Sequence, residues 1–269
     1  MAHWKFSLRD IFSAERPLIG VIHLPPLPGS PRYKGSMAGV VDRAKRDARV
    51  YAESGLDGLI LENYGDLPFY PEGVPPETVA AMALVGAEVH RAIDIPMGVN
   101  VLRNDALSAL GLAAVLDASF IRVNVLMGAM ITDQGIVQGQ AHRLLRQRSV
   151  LRLSTKIFAD VMVKHARPLV HQDMHMAARE LVHRGMADAL IVTGEATGAQ
   201  PLLDELKSVK EAVGETPVLA GSGVMPENVA EVLAIADGAI VGTSLKRDGH
   251  TENEVEAERV KALLKSVGR

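Results

Sequence analysis

Eight short apolar runs, each followed by a segment with helical spacing, alternate along the whole 269-residue chain. The runs cover residues 18–23, 57–62, 96–102, 119–125, 155–161, 187–193, 217–220 and 238–241. Helical spacing is read over 40–54, 76–93, 105–116, 141–150, 174–184 and 202–213, after Pro226, and around 254–266. This order predicts a parallel sheet with helical crossovers. Eight units favour closure over a doubly wound open sheet, and proline rather than a GxGxxG fingerprint follows the first run. The expectation is α/β, a single (β/α)8 TIM barrel over residues 1–269, close to the usual length of about 250 residues.

Composition sets limits on partners and on chemistry. Hydrophobic residues are 48% of the chain and aromatics 4%, so the core is expected to be mainly aliphatic. A net charge of −3, from 29 basic and 32 acidic residues, carries no nucleic-acid footprint. Without cysteine there are no disulfides, thiol nucleophiles or thiolate metal sites, and neither cofactor nor metal is expected. The N-terminus lacks the apolar core of a signal peptide, and no run approaches the roughly 20 residues that span a bilayer. The expected location is cytoplasmic. Arg143, Arg146 and Arg148 in the fourth helix read as a solvated face, an anionic membrane or partner surface being the minority reading. The semi-apolar loop 126–139 suits a partner subunit, hence a homo-oligomer, or equally a lid.

Two consecutive strands, the seventh and eighth, break into small residues: Gly221-Ser222-Gly223 and Gly242-Thr243-Ser244. Glycine lets backbone N–H groups approach an anion, and the loops after these two strands frequently bind phosphate in such barrels. Gly194, after the sixth strand, joins this set. Two ordinary strand-to-helix turns would read the same way. The expected ligand is a phosphorylated small molecule.

The active face of such a barrel is the C-terminal rim of its strands. The polar residues there are His23, Glu62, Asn63, Asn100, Asn124, Asp160 and Thr193. Alternate strand residues share a face, so Arg122 lies beneath Asn124 and Lys156 beneath Asp160. Charges inside the barrel demand partners, which Glu62 and Asp160 could supply. The same two carboxylates could instead act as general acid and base. Lys164 could neutralise a substrate anion, although a loop lysine is more often solvated. Asn100 and Asn124 suit sugar or base edges, and His23, Asn63, Arg122, Lys156 and Thr193 are further candidates for binding substrate. His171 and His175 at i, i+4 lack the glutamate of HExxH and give only a weak zinc signal; His165 and His183 add nothing to it.

With these residues in place the chain resembles the BtpA/SgcQ family. The resemblance rests on GVIHLPPLPGSP (20–31), DGLILENYGDLPF (57–69), RVNVLMGAMITDQGIVQGQAHRLLR (122–146), ADVMVKHA (159–166), and the ADALIVTGEATG and VLAGSGV runs. It implies a fold like the ribulose-phosphate-binding barrels. Some members are named for photosystem I biogenesis and associate with the membrane from the cytoplasmic side. For others a sugar-phosphate or nucleoside-related enzyme is supposed. Phosphoribosylanthranilate isomerase activity does not carry over, because that isomerisation usually employs a cysteine base. Two functions follow as expectations. One is an enzyme on a phosphorylated sugar or nucleoside-related molecule, of isomerase, lyase or nucleosidase-like type. The alternative is a non-catalytic assembly or stability factor. The enzyme reading is favoured.

Overall fold

The computed structural model describes residues 6–163, 166–170, 172–193 and 203–269. All eight expected strands form: β1 (Leu18–His23), β2 (Gly58–Glu62), β3 (Met97–Asn100), β4 (Phe120–Val123), β5 (Lys156–Val161), β6 (Ala189–Val192), β7 (Val218–Ala220) and β8 (Gly238–Val241). They close into a parallel barrel in the order β1-β8-β7-β6-β5-β4-β3-β2. The helices between them are α1 (Met37–Ser54), α2 (Pro76–His90), α3 (Ala106–Leu116), α4 (Ala141–Val150), α5 (Met174–His183), α6 (Leu203–Val213), α7 (Val229–Ile235) and α8 (Ala257–Lys265). Local chemistry sets their ends. Ser36, Asp105 and Asp173 cap α1, α3 and α5 by accepting from Gly39, Ser108 and Met176 N–H. Gly55 stops α1 with φ +93°, a left-handed conformation that costs glycine little.

Two apolar layers hold the barrel. The outer one packs strand faces against the helices, and the inner one fills the barrel with Ile19, Val21, Ile60, Phe120, Phe158, Ile191, Leu219 and Ile240. The aliphatic expectation needs refinement here, because the few phenylalanines concentrate inside. Phe120 stacks on Phe158 with centroids 4.5 Å apart, and Phe12 meets Phe120 edge-on at 5.8 Å. Strand glycines make the room: a Cβ on Gly58 would lie 2.7 Å from Phe12, and one on Gly98 would collide with the Phe120 ring. Leu8, in an N-terminal 3-10 turn (Leu8–Asp10), and Phe12, just after it, plug the barrel floor. Ser7 and Asp10 cap that turn reciprocally.

Three aspartates fasten the floor. Asp57, Asp188 and Asp237, each just before an even-numbered strand, accept from an N–H at the start of the neighbouring strand: Leu18 at 2.7 Å, Ile157 at 2.8 Å and Val218 at 2.8 Å. Arg269, Arg148 and Lys210 neutralise them in turn. Arg148 therefore belongs to this fastening, not to a uniformly solvated face.

At the opposite rim, side chains lace neighbouring loops. Asp66 accepts from Leu27 N–H at 2.8 Å, Asn63 accepts from Leu102 N–H at 2.7 Å, and Asn104 accepts from Val125 N–H at 2.8 Å. The segment read as a soft loop is structured: Ala129–Thr132 and Gly135–Gln138 form a hairpin, and Ala166–Pro168 adds a third antiparallel strand. Four-residue strands are too short to show a period in sequence. Met130 and Val137 turn inward with Val125 and Val163, leaving Ile131 and Ile136 49% and 54% exposed.

Candidate functional site

Four of the polar residues expected at or below the rim share one cavity. His23, Glu62, Arg122 and Asn124 line a cavity of about 1180 Å³ at the C-terminal mouth. Asp160 sits just beneath it. The Arg122 guanidinium grips Asp160 bidentately, Nε to Oδ2 at 3.1 Å and NH2 to Oδ1 at 3.0 Å. Asn124 Nδ2 donates to the same Oδ2 at 2.8 Å. Burial works against the charge on Arg122, but the carboxylates of Asp160 and Glu62 outweigh it and hold the guanidinium above its ordinary pKa. With its amide oriented this way, Asn124 Oδ1 is buried without a hydrogen-bond partner. Such an orphan acceptor is uncommon.

Glu62 is held from one side only. Its Oε2 accepts from Asn100 Nδ2 at 2.8 Å, while Oε1 lies 3.9 Å from His23 Nε2. The His23 ring in turn packs edge-on against Tyr64, 4.9 Å between centroids. One carboxylate oxygen thus faces the cavity beside an imidazole, which is a competent pair for moving a proton.

The two glycine turns open into this same cavity. They are tied to each other, because Ser244 Oγ donates to Val224 O at 2.7 Å. Asn228 braces the first turn, accepting from Met225 N–H at 2.8 Å and donating to Gly223 O at 2.9 Å. Thr243 and Thr251 hydroxyls meet at 2.9 Å behind the second. Glycine is required at both turn entrances. A Cβ on Gly221 would run into Ile191 and Thr193, and one on Gly242 would come within 2.8 Å of His23. Arg259 of α8 reaches the second turn, NH1 to Ser244 O at 3.4 Å.

Several expected site residues have other roles. Lys156 has the right parity but the wrong depth: as the first residue of β5 it lies at the floor, its Nζ 5.1 Å from the Phe6 ring centroid. Asn63 has the opposite parity to Glu62, points away from the mouth, and uses both amide atoms on the rim lacing. Asn100 orients Glu62. Thr193 is buried beside Gly221. The Asp160 side chain is wholly buried, with both oxygens engaged by Arg122, the arrangement of a structural partner. Lys164 and Gly194 lie outside the described residues, as do His165 and His171.

Sequence reasoning missed Tyr64, Phe69, Arg103, Asp133 and Arg259, all of which line the cavity. Four of them sit in irregular segments or the rim hairpin, where strand parity says nothing. Arg259 sits on a helix whose orientation depends on the closed barrel. Lys246 was missed as well. It is fully buried behind the second turn, its Nζ 3.4 Å from Asp47 of α1 and 5.8 Å from the Tyr51 ring centroid. Burial lowers its pKa to about 8, against the opposing pull of Asp47.

Comparison with known proteins places these features in context. The model described as the BtpA family matches residues 14–269. The photosystem I biogenesis protein BtpA of a Synechocystis strain is 44% identical over 261 residues, covering 97% of this chain and 91% of that one. An uncharacterized protein of Pyrococcus horikoshii is 49% identical over 252 residues, covering 94% and 96%. Among solved structures, thiamine phosphate pyrophosphorylase from Pyrococcus furiosus superposes with a TM-score of 0.57 at 16% identity, covering 94% and 96%. Phosphoribosyl anthranilate isomerase from Thermus thermophilus gives 0.55 at 13%, covering 94% and 98%. At such identities the structural likeness speaks for the fold alone. Among the described residues no helix is long and apolar enough to cross a membrane.

Proposed function

The chain belongs to the BtpA family, and from the geometry of its mouth we propose that it is an enzyme acting on a phosphorylated sugar or nucleoside-related molecule. The phosphate binds at Gly221-Ser222-Gly223 and Gly242-Thr243-Ser244, with Arg259 alongside. Glu62 is the group that takes or gives the proton, with His23 beside it. Arg122, Asp160 and Asn124 form the rigid floor that orients the bound molecule, so Asp160 acts by positioning. The observation that carries this reading is the Ser244–Val224 bond, which joins the two turns into one cradle opening on the cavity that Glu62 lines. Phosphate handling also occurs in the names of the two enzymes cited above that share the fold.

A second reading, a non-catalytic assembly factor, draws on the name of the Synechocystis relative and on the exposed Ile131, Ile136, Leu169 and Val170 around the rim sheet. The same apolar residues suit a homo-oligomer contact. The two readings separate in one experiment, calorimetric titration with inorganic phosphate and with ribose 5-phosphate. Wild-type protein should bind both, and Ser222→Asp should weaken both at least about tenfold through charge repulsion in a buried turn. Undiminished affinity in a folded Ser222→Asp variant would remove the cradle.

A further inference from the structure

Of the three arginines that line the mouth, Arg122 and Arg103 have partners that differ in kind. Arg122 has a buried carboxylate matched to its fork at two atoms. Arg103, on the loop after β3, is nearly as enclosed, with its side chain 11% exposed. Its carboxylate contact is Asp133, 60% exposed on the hairpin turn, at 3.6 Å from NH2. Its Nε donates to the neutral Gln134 amide at 3.3 Å, and its guanidinium lies 5.5 Å from the Phe69 ring centroid. A carboxylate in water at that distance contributes little, and an enclosed cation without a matched anion is costly. Stacking on an aromatic face fixes where the guanidinium sits without supplying a counter-charge.

Position adds the second argument. In the closed order of the strands, β3 lies four places from β7, so Arg103 faces the first glycine turn across the full mouth. The same mouth holds Glu62, an acceptor suited to hydroxyl or amine donors. We propose that Arg103 receives a second anionic group, phosphate or carboxylate, at the far end of the phosphate-bearing ligand, exchanging its contact with Asp133 for it. The inference rests on the reading of the two turns as a phosphate cradle. It narrows the substrate class to a hydroxylated phosphate ester carrying an anion at each end.

The test compares three probes by calorimetry: ribose 5-phosphate, ribulose 1,5-bisphosphate and 6-phosphogluconate. A two-ended probe should bind at least about tenfold more tightly than the monophosphate, as a new bidentate charge-assisted contact implies. The bisphosphate and the sugar acid tell which anion the site prefers. Arg103→Gln should erase that advantage and leave the affinity for ribose 5-phosphate unchanged. Asp133→Asn, a change on an exposed turn that leaves the barrel core alone, should strengthen the two-ended probes several-fold and leave the monophosphate unchanged. Equal affinity for all three probes in wild-type protein, or an advantage that survives Arg103→Gln, overturns the proposal. So does an Asp133→Asn effect that is equal for one-ended and two-ended probes. If two-ended probes depend on Arg103 while Ser222→Asp changes nothing, the cradle reading falls and the Arg103 site stands alone.

Discussion

At the floor of the barrel Asp57, Asp188 and Asp237 each accept from a strand N–H and meet a cation, and aromatic rings fill the space between. At the mouth, Asn124 Oδ1 has no partner, one oxygen of Glu62 lies 3.9 Å from the His23 imidazole, and Arg103 is matched by a solvent-facing carboxylate. The same fold therefore completes its polar contacts at one end and leaves them incomplete at the other. Incomplete contacts reduce stability, a loss that the proposed function assigns to the binding of a guest at that rim. Under the proposed function the floor serves stability and the mouth serves binding, the division general to this architecture.

The contrast makes graded predictions. Phe12→Ala opens the floor plug, and a buried phenylalanine truncated this way should cost about 3–5 kcal/mol in urea unfolding. A loss below about 1 kcal/mol would mean the plug is not part of the core. Asp237→Ala strips Val218 N–H of its acceptor and Lys210 of its anion, and should cost about 1–3 kcal/mol. Glu62→Gln keeps an oxygen for Asn100 and removes longer-range attractions to Arg122, His23 and Lys246, so stability should change by less than about 1 kcal/mol. A penalty for Glu62→Gln as large as that for Asp237→Ala would erase the distinction between the two ends.

Strand parity made much of this legible in the sequence. It put Arg122, Asn124 and Asp160 on inward faces from their spacing alone, and the unpaired charges it implied found each other. What parity cannot give is depth. Lys156 and Asp160 share a face, yet Phe158 stands between them and one is at the floor. Nor does residue type give role: Asn63 follows a site glutamate and serves the backbone of the next loop. Arg103 and Asp133 escaped because irregular loops and a four-residue hairpin strand carry no period, and only the closed barrel brings them to the mouth.

The lacing of the first rim loops has its own consequence. Through Asp66, Asn63 and Asn104, the loops after the first four strands are buttoned to one another in sequence, each by a side chain that grips its neighbour's main chain. That half of the crown behaves as a single casting. Transplanting one of its loops from another barrel would unfasten the adjoining ones, so an engineer seeking a new guest should exchange all four together or begin on the other half.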